Sequence, residues 1–152
     1  MVQEIQEISG FRITIEREKL ARDPDSMRKV FETLEECGLS CECMALNLDW
    51  LSIVVRESEK GKLSRFMMVL GQRLSRIDIS IDGEVAILYI EGSQITSRGI
   101  GIVDSSLVLQ GIEITMQRYF RCQDRFVIGV SPKEADRARR IITGIMESNF
   151  QL

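Results

Sequence analysis

The sequence predicts an α+β protein made of two β-α-β-β-α-β units, in which two helices cover one face of an antiparallel sheet. Segments with the strand period of two and segments with the helical period of 3.6 follow one another in this order. The order then begins again about 73 residues later. With 152 residues, 44% of them hydrophobic, the chain is long enough to bury a core without a metal or disulfide.

The first unit is predicted to begin with a strand at 11–17, where FRITIER alternates apolar and polar residues. Apolar residues then recur at spacings of three and four, which predicts a helix with one apolar face. They are Met27, Val30, Phe31, Leu34 and Cys37. Asp23 is the expected N-cap, Pro24 the first helical residue and Gly38 the end of the helix.

The rest of this unit follows from the same two periods. CECMALN and WLSIVVRE, separated by Leu48 and Asp49, predict a hairpin, and SEKGK predicts a charged link. The second helix is expected in LSRFMMVLGQRLS, and the strictly alternating RIDISID at 76–82 predicts the fourth strand. Its apolar helical face comprises Leu63, Phe66, Met67, Leu70 and Leu74.

The same order returns in the second half of the chain. VAILYIEG, GIEITMQ and RFVIGV predict strands, GIVDSSLVLQG occupies the position of the first helix, and KEADRARRIITGIM predicts the second. The expected equivalents are Gly38-Leu39 with Gly111-Ile112 and Ile13 with Ala86, each at an offset of 73, and Ile53 with Val127 at 74. We therefore expect a first unit at 10–84 and a second at 85–152.

The second unit is one strand short. The equivalent of Arg76, where the last strand of the first unit starts, would be residue 149, and the sequence ends at Leu152. The segment VQEIQEIS at 2–9 is the spare candidate, although its apolar residues fall every three positions. We expect this segment to cross over and complete the second unit, so that the first unit is inserted between the two pieces.

Composition excludes several classes of function. The absence of histidine excludes a Ser-His-Asp triad, a Cys-His pair and His-ligated zinc. A net charge of -3, with 23 acidic and 20 basic residues, argues against a general polyanion binder. Without a leader-like start or 18 consecutive apolar residues, the chain is expected to be soluble and cytoplasmic and to bind neither nucleic acid nor membrane.

The cysteines predict no metal site. Cys41 and Cys43 are two residues apart on a predicted strand, so both thiols are expected to face the core. Zinc needs four ligands, and Cys37 and Cys122 lack the paired spacing that would complete a set. We therefore expect no metal and no cofactor. The run Arg137, Arg139 and Arg140 is interleaved with acids, which indicates a solvated helix face.

A set of positions carries a family resemblance. It comprises Pro24, Phe31, the Gly38-Leu39-Ser40 step and Asn47, and then Gly92, the expected Gly99-Ile100-Gly101 turn and VSPKEADRARRII. This pattern, over essentially the whole chain, resembles tandem ACT domains, the regulatory modules of amino-acid biosynthetic enzymes, and most of all the C-terminal regulatory region of aspartate kinases. Asp25 departs from the family's glycine, and the kinase's lysine-glycine-glycine nucleotide signature is absent.

The resemblance implies a non-catalytic, ferredoxin-like module that binds an amino-acid effector such as lysine or threonine. It further implies a homodimer that acts as a free-standing subunit or as a fragment of a kinase, with a kinase catalytic chain as a possible partner. The effector is expected between helix starts and strand ends. The implied effector residues are Pro24, Asp25, Ser26, Met27, Ser40, Cys41, Asn47, Ser97, Arg98, Gly99, Ile100 and Gly101.

Elementary chemistry qualifies this expectation. The free N–H groups of a helix N-terminus suit a carboxylate, but Asp23 and Asp25 compete for that charge. Their presence weakens amino-acid binding in the first unit or redirects it to a cationic group such as a lysine side chain. Asp23-Pro24 is also sufficient as a helix start alone, and the glycines at 99 and 101 can serve a positive-φ turn.

Other functions use the same layout. An RNA-binding module would place aromatic and basic residues on its central strands. The candidates are Arg118, Tyr119, Phe120, Arg121, Arg125 and Phe126, but the Lys/Arg-Gly-aromatic text is missing. An acylphosphatase-like enzyme would need an arginine loop and an asparagine, for which Arg98 and Asn47 lack supporting spacing. A purely structural dimerisation module also remains open.

Overall fold

The computed structural model describes residues 4–92, 95–120 and 125–148. The chain divides into two compact units, one of Gly10–Glu84 and one that combines Met1–Ser9 with Val85–Leu152. We call them the first and the second unit. No helix within the described ranges is long and apolar enough to cross a membrane. The elements are β1 (Ile5–Glu16), α1 (Pro24–Glu36), β2 (Cys43–Leu46), β3 (Trp50–Arg56), α2 (Lys60–Arg73), β4 (Asp78–Glu91), α3 (Ser97–Leu109), β5 (Ile114–Phe120), β6 (Arg125–Val130) and α4 (Ala135–Glu147).

The first unit has a sheet in the order β2-β3-β1-β4, to which β1 and β4 contribute residues 10–16 and 78–84. Its pairs β1–β3 and β2–β3 are antiparallel, with Ile13 opposite Ile53. The side chains on one face join those of α1 and α2 in a single core. This core includes Ile13, Ile15, Val30, Leu34, Leu51, Ile53, Val55, Leu63, Phe66 and Leu70.

The second unit repeats this arrangement with the order β1-β4-β6-β5, to which β1 and β4 contribute residues 5–9 and 85–91. Leu88 lies opposite Ile128 in the antiparallel β4–β6 pair. Ile5 packs against the core that α3 and α4 cover, whereas Val2 and Gln3 of the expected strand lie outside the described residues. The predicted α+β class, with two βαββαβ units and helices on one face of each sheet, is confirmed.

Two predicted boundaries were wrong. The SEKGK link instead contains a short 3-10 helix, Glu57–Glu59, and the start of α2 at Lys60. Charged residues and a glycine are tolerated there because the first N–H groups of a helix need no intrahelical acceptor. The two strands expected at 76–82 and 85–92 are one strand, β4. The pattern changes within it because residues 85–90 are all buried, which replaces alternation with a continuous apolar run.

The predicted register of the repeat was also wrong in the strands. Ile53 belongs to the first core, but Val127 lies outside the second core and on the opposite face of its strand. The core-facing equivalents are 75 residues apart: Ile13 with Leu88, Ile15 with Ile90, Leu51 with Phe126, Ile53 with Ile128 and Val55 with Val130. The first helices keep an offset of 73, so the connection from strand to helix is two residues shorter in the second unit.

Candidate functional site

The N-terminus of α1 is neutralised by its own chain. Asp23 is the N-cap, and its carboxylate accepts hydrogen bonds from the Ser26 backbone N–H at 3.3 Å and the Ser26 hydroxyl at 2.6 Å. Arg17 donates to the same carboxylate at 3.0 Å. These hydrogen bonds from Ser26, followed by the contribution of Arg17, lower the pKa of Asp23. The predicted cap is confirmed, and the end of the helix already holds a negative charge.

The other predicted residues of this helix start are also engaged. Ser26 is buried, and Met27 packs half-buried against the core. Asp25 is exposed and pairs with Lys29 at 3.0 Å and with Arg28. Hydrogen bonds first from Lys29 and then from Arg28 lower its pKa. Pro24 is exposed and follows directly on the cap.

The structure separates Ser40 and Cys41 from Asn47. Ser40 and Cys41 lie before β2, where the N–H of Glu42 donates to the carbonyl of Val54 at 2.7 Å. Asn47 lies beyond the other end of β2, in the hairpin turn, and accepts a hydrogen bond from the Leu48 N–H at 2.6 Å. Six extended residues span about 20 Å, so these groups cannot hold one small molecule together.

The cysteine prediction was wrong for one thiol. Cys41 is half-buried against the core, and burial, followed by Glu59 and Glu42, raises its pKa to about 11. Cys43 is also half-buried but lies outside the core cluster, because β2 begins only at this residue. Cys122 lies outside the described residues. Among the described residues, no group of three or more Cys, Asp and Glu side chains is arranged to hold a metal.

Residues 97–101 form the first turns of α3 instead of the expected glycine turn. Thr96 is the N-cap, and its hydroxyl accepts a hydrogen bond from the Gly99 N–H at 3.1 Å. Neither Gly99 nor Gly101 has a positive φ, so the prediction of a positive-φ turn was wrong. A capped start and helical geometry replaced it. Gly99 and Ile100 are buried, whereas Ser97, Arg98 and Gly101 are exposed.

The first unit contains a cleft of about 380 Å³ where β1 ends and where β3 and β4 begin. We call it the mixed-charge cleft, because four carboxylates and two guanidinium groups surround a half-buried tryptophan. Its lining residues are Glu16, Arg17, Glu18, Asp49, Trp50, Arg76 and Asp78. Within the described part of the chain it brings together the chemical groups that a charged small molecule requires.

Local hydrogen bonds connect this cleft to α1 and to the hairpin turn. Arg17 donates through Nη1 to Asp23 and through Nε to the carbonyl of Ser75 at 3.1 Å. The backbone N–H of Lys19 donates to Asp49 Oδ1 at 2.8 Å, and that of Asn47 donates to the carbonyl of Trp50 at 2.8 Å. Of the predicted effector residues, those at the start of α1 and Asn47 are thus linked to the rim of the cleft.

No model of a known protein family matches the chain, and no curated protein sequence matches it. Solved structures do. The aspartate kinase of Clostridium acetobutylicum matches 95% of this chain with 34% of its own, at a TM-score of 0.75 and 20% identity. The regulatory subunit of aspartate kinase from Thermus flavus matches 96% of this chain with 97% of its own, at 0.71 and 13% identity.

A third match is E. coli aspartokinase III in complex with lysine and aspartate, with a TM-score of 0.62 and 12% identity. It covers 97% of this chain and 32% of its own. The chain has the fold of the aspartate kinase regulatory region. It spans about a third of the two complete kinases and nearly the whole of the Thermus flavus subunit. The resemblance to tandem ACT domains is therefore confirmed for the fold.

Within this regulatory fold, few of the candidate RNA-stacking groups are free. Tyr119 is half-buried and donates its hydroxyl hydrogen bond to the carbonyl of Ile95 at 2.9 Å, and Phe126 is buried. Arg125 pairs with Glu91 at 2.7 Å. Arg118 lies over the exposed ring of Phe120 at 5.0 Å, and Arg121 lies outside the described residues.

Proposed function

We propose that this chain is a non-catalytic, amino-acid-binding regulatory module and that the mixed-charge cleft holds the effector. The observation that carries the proposal is the meeting of carboxylates, guanidinium groups and a tryptophan in one cleft of the first unit. The fold supports it, since one solved neighbour is a regulatory subunit of aspartate kinase and another is an aspartokinase in complex with lysine and aspartate.

The lining matches the charges of an amino acid. A guanidinium group can bind the α-carboxylate through two parallel hydrogen bonds, and carboxylates can accept those of the α-ammonium group. The face of Trp50 offers a further site for a cation. Four acidic and two arginine side chains leave an excess of two negative charges. That excess favours lysine, which carries a second ammonium group, over threonine.

Occupancy of the cleft would reach α1 through short connections. Arg17 lines the cleft and also bonds to Asp23 at the start of α1 and to Ser75 after α2. A ligand that repositions Arg17 would therefore act on both helices of the first unit. We propose that this change is transmitted to a kinase catalytic chain, either as part of a longer protein or as a separate subunit.

We further propose that each unit is one ACT domain. The first would comprise residues 10–84 and the second residues 85–152, completed by the strand from 2–9. The inclusion of Ile5 in the second core supports this division. Ser97, Arg98 and Gly101 are exposed at the start of α3 and remain our candidates for effector contacts of the second unit.

A homodimer is the proposed assembly, and the β2 edge of the first unit supports it. Met44 and Leu46 are exposed on this edge strand, and Phe31 is exposed on α1. No charged residue lies within Cys43–Leu46, although edge strands are commonly protected by charge. The same surface favours the second candidate function, a module that only dimerises. Leu46→Lys should yield a monomer by light scattering, whereas Leu109→Lys, at an equally exposed leucine, should not.

A melting assay with lysine, threonine and methionine at millimolar concentrations tests the proposed function. A ligand at 100 times its Kd stabilises the folded state by about 2.7 kcal/mol, so lysine should raise Tm measurably. Asp78→Asn should reduce this shift, and Glu84→Gln, a control on the same strand outside the cleft, should leave it unchanged. No shift with any amino acid would overturn the effector hypothesis and leave dimerisation as the function.

A further inference from the structure

Arg76 lies between the end of α2 and the beginning of β4 and lines the mixed-charge cleft. We propose that its guanidinium group binds the α-carboxylate of the effector and makes the cleft specific for amino acids over simple amines. This inference rests on the proposed function. It goes further by assigning the carboxylate to one residue that no sequence motif indicated.

The backbone of Arg76 is the first argument. Its φ is 56°, and Lys19 is the other non-glycine residue with a positive φ in the described ranges. Glycine adopts this left-handed region without steric cost, whereas a residue with a Cβ does not. Strained positions of this kind concentrate at functional sites, where the side chain is needed. An arginine at the rim of a cleft in this conformation therefore indicates a role for its guanidinium group.

The second argument is that Arg76 is free to bind. Arg17, the other base that lines the cleft, already donates to Asp23 and to the carbonyl of Ser75. The exposed side chain of Arg76 has no hydrogen-bond or ion-pair partner anywhere in the part of the chain that the structure describes. Binding of a carboxylate would thus complete the bidentate pairing of Arg76 without breaking an existing interaction.

The third argument is the placement of opposite charge in the same cleft. Glu16, Glu18 and Asp78 are exposed and also have no side-chain partner among the described residues. They can accept hydrogen bonds from ammonium groups while Arg76 holds the carboxylate. Both ends of a zwitterion therefore find a counter-charge within the first unit.

Calorimetric titration with L-lysine and with 1,5-diaminopentane, which is lysine without its carboxylate, tests this assignment. The variants are Arg76→Gly, Arg76→Gln and the control Lys19→Gly, which relieves the same left-handed strain outside the lining of the cleft. Both Arg76 variants should bind lysine about 10 to 100 times more weakly, because a charge-assisted pair is lost. Their affinity for the diamine should change by less than about threefold, and Lys19→Gly should bind both ligands as the wild type does.

Three results would overturn the assignment. Unchanged lysine binding in both Arg76 variants would show that another group holds the carboxylate. Equal loss of lysine and diamine binding would show that Arg76 supports the cleft without selecting a carboxylate. Equal loss in Lys19→Gly would trace the effect to the backbone. Failure of the wild-type chain to bind any amino acid is a distinct result, which removes the proposed function itself.

Discussion

The two units start their first helix in the same way but with different charges. Asp23 and Thr96 are N-caps 73 residues apart, and each accepts a hydrogen bond from the backbone N–H three residues later. The first carries a negative charge and is followed by Asp25, whereas the second is neutral and is followed by Ser97 and Arg98. The fold requires an acceptor at this position but not its charge, so the electrostatics of the two helix starts differ within one architecture.

Other contacts are common to both units. Thr33 and Ser106, again 73 residues apart, each donate a hydroxyl hydrogen bond to the carbonyl four residues earlier, at 2.6 and 2.7 Å. In each unit a base of the second helix donates to the last carbonyls of the first, Lys62 to Gly38 at 3.0 Å and Arg137 to Gln110. Such contacts join the helices of a unit, which explains why they recur while the surfaces differ.

The outer faces of the first helices differ most. Phe31 is exposed on α1, but its equivalent on α3 is Asp104, which is half-buried. Burial raises the pKa of Asp104, although a hydrogen bond with Gln117 opposes the shift. The first unit thus presents an apolar corner beside its edge strand, and the second presents an acid. This difference indicates that self-association belongs to the first unit.

The largest predicted effect concerns the cores. Each core contains one fully buried phenylalanine, Phe66 from the second helix in the first unit and Phe126 from the third strand in the second. Phe66→Ala and Phe126→Ala should each reduce the free energy of unfolding by about 3–5 kcal/mol, because both leave a cavity. Urea denaturation measures this loss. A loss below about 1 kcal/mol for either variant would show that its unit repacks, so that the two cores are not equivalent.

A smaller effect is expected at the helix caps. Thr96→Ala should cost about 1 kcal/mol at every pH, because a neutral hydrogen bond is lost. Asp23→Ala should also destabilise at neutral pH, and this effect should depend on pH. Since folding lowers the pKa of Asp23, its contribution is present above the unfolded pKa and is lost as pH falls through the folded value.

Urea denaturation between pH 7 and pH 2 compares the two cap variants with the wild type. The Asp23→Ala penalty should shrink below about pH 4, while the Thr96→Ala penalty should not. If both penalties follow pH in the same way, the charge difference between the helix starts has no effect on stability.

The smallest effect is expected at Asp104. Because folding raises its pKa, the ionised form destabilises the protein above the folded pKa, and this cost disappears below the unfolded value. Asp104→Asn should therefore raise Tm at pH 7 by a few degrees at most and have little effect near pH 3. Glu147→Gln, at an exposed acid of the same unit, is the control. A lower Tm at pH 7 would contradict the assigned burial cost.

The elements with a repeating pattern could be predicted, and the cleft could not. The cap at Asp23, the apolar face of α1 and the hairpin between Met44 and Ile53 follow from local preferences and periodicity, which the sequence displays directly. β4 was predicted as two strands because its environment changes along its length. Residues such as Arg76 and Asp49 come together only through the ends of several strands, and a single sequence carries no signal of that proximity.

The central claim, that the mixed-charge cleft binds an amino acid, is tested most directly by the fluorescence of Trp50. Trp50 is the single tryptophan of the chain and lines the cleft, so its emission reports on this site alone. Titration with L-lysine should change the emission saturably, with a Kd at least about tenfold higher in Arg76→Gln. Lysine binding without a change in Trp50 emission, or with equal affinity in the variant, would contradict the claim.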